Sequence, residues 1–171
     1  MNLFYKLFAK NNRENFDISN LIWSWIGSFL GLFAIAFFHR NFLDDSDLTL
    51  VLSSFGASAV LIYGAINSPL AQPKNLIGGH IISAIIGVFC YKLFGENLLF
   101  AAAIAVSSSI LVMQLTLTLH PPGGATALIA VIGTPQIHDL GYFFVIFPVF
   151  SGALILFLIA FVINNIPKNR A

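Results

Sequence analysis

Polar and apolar positions along this chain alternate on the scale of whole helices. Apolar runs, free of Asp, Glu, Lys and Arg except for Lys92, occupy residues 21–38, 48–66, 76–94, 97–113 and 142–163, with short polar stretches between them. Each is close to the roughly 20 residues a helix needs to cross the hydrocarbon of a bilayer. Trp23 and Trp25 open the first run, where an aromatic belt would lie. A membrane β-barrel needs segments of about ten residues alternating apolar and polar. Only two short stretches alternate here, 48–52 (LTLVL) and 115–119 (LTLTL). The pattern predicts an all-α polytopic membrane protein.

A sixth apolar segment, 114–133, is broken at its centre by HPPGGATAL. It resembles an earlier stretch: LTLVLSSFGASA at 48–59 aligns, with one gap, to LTLTLHPPGGATA at 115–127. In both, the alternating run leads into Gly-Ala-Ser/Thr-Ala. The chain therefore divides into two units of span, broken segment and span, repeat one at 21–95 and repeat two at 97–164. Three crossings in each unit would invert the second relative to the first, an architecture found in secondary transporters. The two alternating runs are expected to be extended, buried side by side, and to lead into half-helices.

Composition and charge place the ends. Of 171 residues, 58% are hydrophobic and 9% charged, against about 25% charged in soluble domains. Lys6, Lys10 and Arg13 mark residues 1–20 as a cytoplasmic tail, Lys168 and Arg170 mark 166–171 as another, and 21–165 forms the membrane domain. Lys74 agrees, and the acidic stretch at 44–47 falls on the other side. The number of crossings is then even. Six follow if the broken segments traverse, and four if they re-enter. The tails suit the inner membrane of a bacterium, and so small a bundle suits a homodimer. Net charge of +1 gives no reason to expect nucleic acid, and Cys90, the single cysteine, reads as packing.

The broken segments carry the candidate chemistry. A helix that starts inside the membrane has N–H groups without partners and about half a positive charge, which suit an anion. Candidate binding residues are Ser54, Gly56, Ala57 and Ser58 in the first segment, with His120, Pro121, Pro122, Gly123, Gly124, Ala125 and Thr126 in the second. All seven Asp and Glu residues fall in tails or expected loops, which removes the usual groups for cation transport. His80, after Gly78-Gly79, and His120 are ionisable groups at membrane depth. Each is a candidate for proton coupling or an imidazole that fixes a kink. Two histidines alone do not make a metal site. Pro69, Pro73 and Lys74 are candidate gating residues, and Lys74 also fits a loop charge that sets topology. Gly27 and Gly31 form a GxxxG pair, which fits a helix-contact face or a match that chance supplies in apolar sequence. No cofactor is implied.

HPPGGATAL at 120–128, FGASAV at 55–60, SPLAQPKN at 68–75 and GGHIISAIIGV at 78–88, in that order, resemble the HPP family of integral membrane proteins. The resemblance implies four spans, the lower of the two counts. It also implies transport of nitrite, with which plant chloroplast and cyanobacterial members are associated. Gly56, Ala57, Ser58, Pro69, Pro73, His80 and 120–126 are the positions it carries over. The expected function is a small secondary transporter or channel for a monovalent inorganic anion. A structural or assembly subunit is the alternative, and a membrane enzyme using His120 with Ser58 or Thr126 lacks a carboxylate to orient the histidine.

Overall fold

The computed structural model describes residues 17–166. Helix α1 (Ile18–His39) is capped by Asp17, whose carboxylate accepts from the Ser19 amide. It packs antiparallel to the last helix, α7 (Ser151–Asn164), with Gly27 against Ile163, Gly31 against Leu156 and His39 bonded to Ser151. The Gly27–Gly31 pair is thus a contact face and not a chance match. A Cβ on Gly27 would stand 2.6 Å from the Tyr63 ring, and one on Gly31 2.6 Å from Leu156.

Helix α2 (Asp45–Ala59) continues through a wide turn, Val60–Gly64, and is unbroken across 48–52. This overturns the expectation of an extended stretch there. Asp44 caps the helix through the Asp47 amide, and a helix satisfies its own backbone groups in lipid where a strand needs a partner. The apparent two-residue period arises because Thr49 and Ser53 donate to carbonyls four residues back, at 2.7 and 2.8 Å, and hide their polarity. Gly56 consequently lies within a helix, not at a helix start.

A short 3₁₀ turn (Pro69–Ala71) leads into α3 (Pro73–Phe94), then α4 (Leu98–Leu115). The α4 end is a Schellman turn, with Thr118 N donating to Met113 O and Leu117 N to Gln114 O. Leu117 takes φ 56° there, a left-handed conformation that costs a non-glycine residue about 1–2 kcal/mol. Only 118–120 then lie outside helix and turn before α5 (Pro121–Ile132), with His120 in extended geometry, so the extended run expected at 115–119 is not formed: Leu115 ends α4 and 116–117 make its terminal turn. Twelve helical residues rise about 18 Å, and a three-residue link can add up to about 10 Å. Together they approach the thickness of the hydrocarbon layer.

This composite segment settles the course of the chain. Thr118 and His120 lie against Gly78 and Gly79, early in α3, while Thr134, just beyond α5, bonds Asp47 at the opposite end of α2. A short helix, α6 (Pro135–Leu140), follows, and the segment Val145–Phe150, kinked where Phe147 leaves helical geometry ahead of Pro148, enters α7. Among the described residues, five helices are long and apolar enough to span, and α5 is a shorter apolar helix whose preceding link carries the chain the rest of the way along the bundle. Both ends of the described chain lie on one face of the bundle.

Small residues bring α5 close to α3. Gly79, Ser83 and Gly87 lie on one face of α3, and a Cβ on Gly87 would come 2.6 Å from the Ala127 carbonyl. At the far end of α5, Asp47 is fully buried, not in a loop as its sequence neighbours suggest. Its carboxylate accepts from the Thr134 amide at 3.0 Å and from the Thr134 hydroxyl at 2.5 Å. This ties α2 to the connection between α5 and α6. Asp47→Ala is expected to destabilise the protein by about 1–3 kcal/mol by stranding the Thr134 groups, whereas the exposed Asp45→Ala is expected to change it little. Thermal unfolding in detergent, followed by circular dichroism, compares the two.

Candidate functional site

The break between α4 and α5 opens onto a buried chain of polar side chains. Ser58, on α2, has its Oγ 2.8 Å from His80 Nε2 and 2.9 Å from His120 Nε2. On one side, His120 Nδ1 is 2.9 Å from the Leu70 carbonyl of the 3₁₀ turn. On the other, His80 Nδ1 is 2.7 Å from Thr126 Oγ1, which is 2.9 Å from Ser54 Oγ. Ser54 Oγ is also 3.0 Å from the Pro122 carbonyl. All five side chains are buried, both imidazoles completely. Phe55 covers His80, with ring centroids 4.8 Å apart.

Donor and acceptor rules fix the protons when both rings are neutral. A carbonyl only accepts, so His120 Nδ1–H donates to Leu70 and His120 Nε2 is an acceptor. Ser58 has a single hydroxyl proton, which goes to His120 Nε2. The Ser54 carbonyl, 3.4 Å from Ser58 Oγ, is a more distant acceptor. His80 Nε2–H then donates to Ser58, and His80 Nδ1 accepts from the Thr126 hydroxyl. The two histidines hold opposite tautomers.

Charged groups stay away from this cluster. The acidic residues of α2 are in its first turn, Lys74 and Lys92 are in the first and last turns of α3, and α4, α5 and α7 contain none. Among the described residues, no three of His, Cys, Asp or Glu come together.

Comparison with known proteins follows from this arrangement. The model of the HPP transmembrane region matches residues 13–171. The chain belongs to the HPP family. It is 46% identical over 158 residues to one transmembrane protein of Dictyostelium discoideum, covering 91% of this chain and 55% of that protein. A second from the same organism is 43% identical over 157 residues, covering 90% of this chain and 50% of that protein. The chain spans about half the length of these curated relatives. No solved structure matches it.

The motif that gives the HPP family its name lies at the centre of the cluster, though not as the expected anion cradle. Pro121 and Pro122 have no N–H, and Gly123 N donates to His120 O at 2.8 Å, so the first three positions of α5 present no free amide. Two half-helix starts do not converge. Ser54, Ser58, His80, His120 and Thr126 meet, with the Pro122 carbonyl among them. Gly123 packs beneath them, its Cβ position 2.8 Å from Ser83 Oγ. Gly56 and Ala57 lie on α2 away from the cluster, and Ala57 is exposed. Pro121, Gly124 and Ala125 line an apolar groove beside α4. Pro69 is exposed at the start of the 3₁₀ turn, and Pro73 and Lys74 begin α3.

Several contributors had no sequence signal of their own. The Leu70 carbonyl is a backbone group. Asn75 Nδ2 donates to Leu119 O at 2.8 Å and holds the extended link, while the Ser83 hydroxyl contacts Met113 sulfur at 3.6 Å below Gly123. The motif SPLAQPKN flags their neighbourhood but not their roles. The paired glycines are distinguishable by experiment. Gly123→Ala is expected to lower stability by about 1–3 kcal/mol through overpacking, and Gly124→Ala, whose new methyl meets only Val106 at 3.7 Å, to leave it unchanged or slightly raised. Thermal midpoints of the purified variants measure the difference.

Proposed function

We propose that this HPP family protein is a small membrane transporter for a monovalent inorganic anion, with nitrite as substrate. The observation that carries this reading is the buried chain of imidazoles and hydroxyls beside the break that precedes α5, with no Asp or Glu hydrogen-bonded into it among the described residues. Intramembrane ionisable groups are costly and mark substrate paths. Discontinuous helices place such paths near the midplane. A groove of about 170 Å³ at the end of the bundle is lined by Ala71, Gln72, Pro73, Asn164 and Asn165 among others, and places amide side chains beside the end of the 3₁₀ turn. Lys74 lies at the same end, which the basic-inside rule assigns to the cytoplasm together with both tails.

Ser58 is a poor fit for a nucleophile. Its hydroxyl is fully buried between two imidazoles, with no space beside it for a scissile bond. The reading is therefore of a non-enzymatic protein.

Purified protein in liposomes is expected to admit nitrite faster than protein-free vesicles. His80→Gln and His120→Gln are each expected to lower the initial rate about tenfold or more, the effect of losing one buried hydrogen-bond partner. Leu99→Ala, on the lipid-facing start of α4, should retain the rate. Nitrite entry no faster than in empty vesicles contradicts transport and favours a structural subunit.

A further inference from the structure

The amide side chains at the end of the bundle form a second polar group, and unlike the chain around Ser58 it is not internally satisfied. Helix α2, through its wide turn, and α7 both end there and leave carbonyls without helical partners. Amide side chains take up several of them. Asn164 Nδ2 donates to Ile62 O at 2.9 Å, and Asn165 Nδ2 to Phe161 O at 2.6 Å. Gln72 Nε2 donates to Ile66 O at 3.3 Å and Ser68 O at 3.1 Å. A backbone carbonyl only accepts, so each contact comes from the amide nitrogen, which fixes the direction of all three side chains. Their oxygens are left over. Among the described residues, no donor reaches Asn164 Oδ1, Asn165 Oδ1 or Gln72 Oε1, and Asn164 Oδ1 is also buried.

These three residues line one groove, the cavity of about 170 Å³ whose apolar walls include Ile62, Ile66 and Phe157. Gln72 and Asn165 are exposed at its rim, and Asn164 is half-buried. No Asp or Glu lines it, so it lacks the carboxylates that hold a divalent cation. Unpaired carbonyl oxygens call for a hydrogen-bond donor, and a charged N–H donor is held about twice as strongly as a neutral one. Place and size narrow the class further. The groove opens where α3 starts and α7 ends, at the edge of the apolar spans, and it admits a few water-sized groups, not a whole lipid. Its apolar walls suit the short carbon stem of a headgroup, from which a bare alkali ion gains nothing. Lys74 is exposed in the first turn of α3, next to Pro73 of the lining, where a phosphate on the same molecule would find a counter-charge.

We propose that this groove binds a primary ammonium group, of the kind that a phosphoethanolamine lipid headgroup presents at the membrane surface. Its N–H groups donate to the oxygens of Asn164, Asn165 and Gln72, and its phosphate lies toward Lys74. Selectivity then comes from donors and not from charge. A trimethylated ammonium carries the same charge on the same phosphate but has no N–H to give, and leaves the Asn164 oxygen unpaired. A bound headgroup also bridges the wide turn after α2, the start of α3 and the end of α7, which meet at this groove. The inference does not depend on the transport reading.

The test uses the full chain, delipidated in detergent, and native mass spectrometry with phosphatidylethanolamine and phosphatidylcholine of identical acyl chains at equal concentration. The ethanolamine lipid is expected to bind about tenfold more tightly, the effect of one charged hydrogen bond. That preference is expected to be lost in Asn164→Leu and reduced in Asn165→Leu, whose exposed position tolerates the change, with thermal midpoints showing that each variant is folded. Equal binding of the two lipids overturns the proposal, and so does a preference that both variants keep. Phosphatidylglycerol bound as tightly as the ethanolamine lipid means that a hydroxyl suffices, and overturns the ammonium. Free ethanolamine that displaces the lipid and raises the thermal midpoint as far supports the ammonium site and makes a soluble amine its source. Displacement by sodium chloride but not by choline chloride assigns the groove to an alkali cation and overturns the proposal. The comparison of lipids on the wild-type chain decides without any variant.

Discussion

The hydroxyl of Ser58 lies between the Nε2 atoms of His80 and His120, and its single proton can serve only one of the two contacts, so the other must be donated by a ring. Much of the centre of the bundle depends on this constraint. It requires α2, α3 and the α5 start to converge, requires the two rings to differ in tautomer, and passes the polarity of the Leu70 carbonyl through to Thr126 and Ser54. A buried imidazole or hydroxyl without a partner would cost about 1–3 kcal/mol. The cluster leaves none, so a polar interior is compatible with lipid outside.

The two prolines of the HPP motif complete the arrangement by subtraction. A helix that starts inside a membrane exposes amide donors, and Pro121 and Pro122 have none to expose. Gly123 turns its own amide back to His120 and, lacking a side chain, lets α5 settle on Ser83 and the Gly79 carbonyl. The polar capacity of the break therefore resides in His120, not in the backbone. This moves the chemistry of the break from a fixed half-charge of backbone amides to an imidazole side chain.

The long apolar spans were legible because hydrophobic length is dictated by the bilayer, whereas the number of crossings was not, and the break at 120–124 was legible because Pro and Gly are poor in helix interiors. Ser54, Ser58, His80, His120 and Thr126 were all legible as polar residues in apolar surroundings. The helix at 48–52 was not, since Thr49 and Ser53 satisfy their hydroxyls on their own backbone and so imitate the alternation of a strand. The matching Gly-Ala-Ser/Thr-Ala sequences misdirect for a related reason: Thr126 and Ser58 face the cluster, while Gly56, Ala57 and Gly124 do not. The Leu70 carbonyl and the Asp47–Thr134 clamp depend on contacts across 50 and 87 residues, which no local pattern encodes.

The shared hydroxyl can be observed directly. Nitrogen-15 NMR of the histidines in the membrane-embedded protein, assigned with His80→Gln and His120→Gln, reports which ring nitrogen carries the proton. The account requires His120 to be protonated at Nδ1 and His80 at Nε2 at a pH where both are neutral. The same tautomer in both rings would mean that Ser58 does not accept from one ring and donate to the other, and would contradict it.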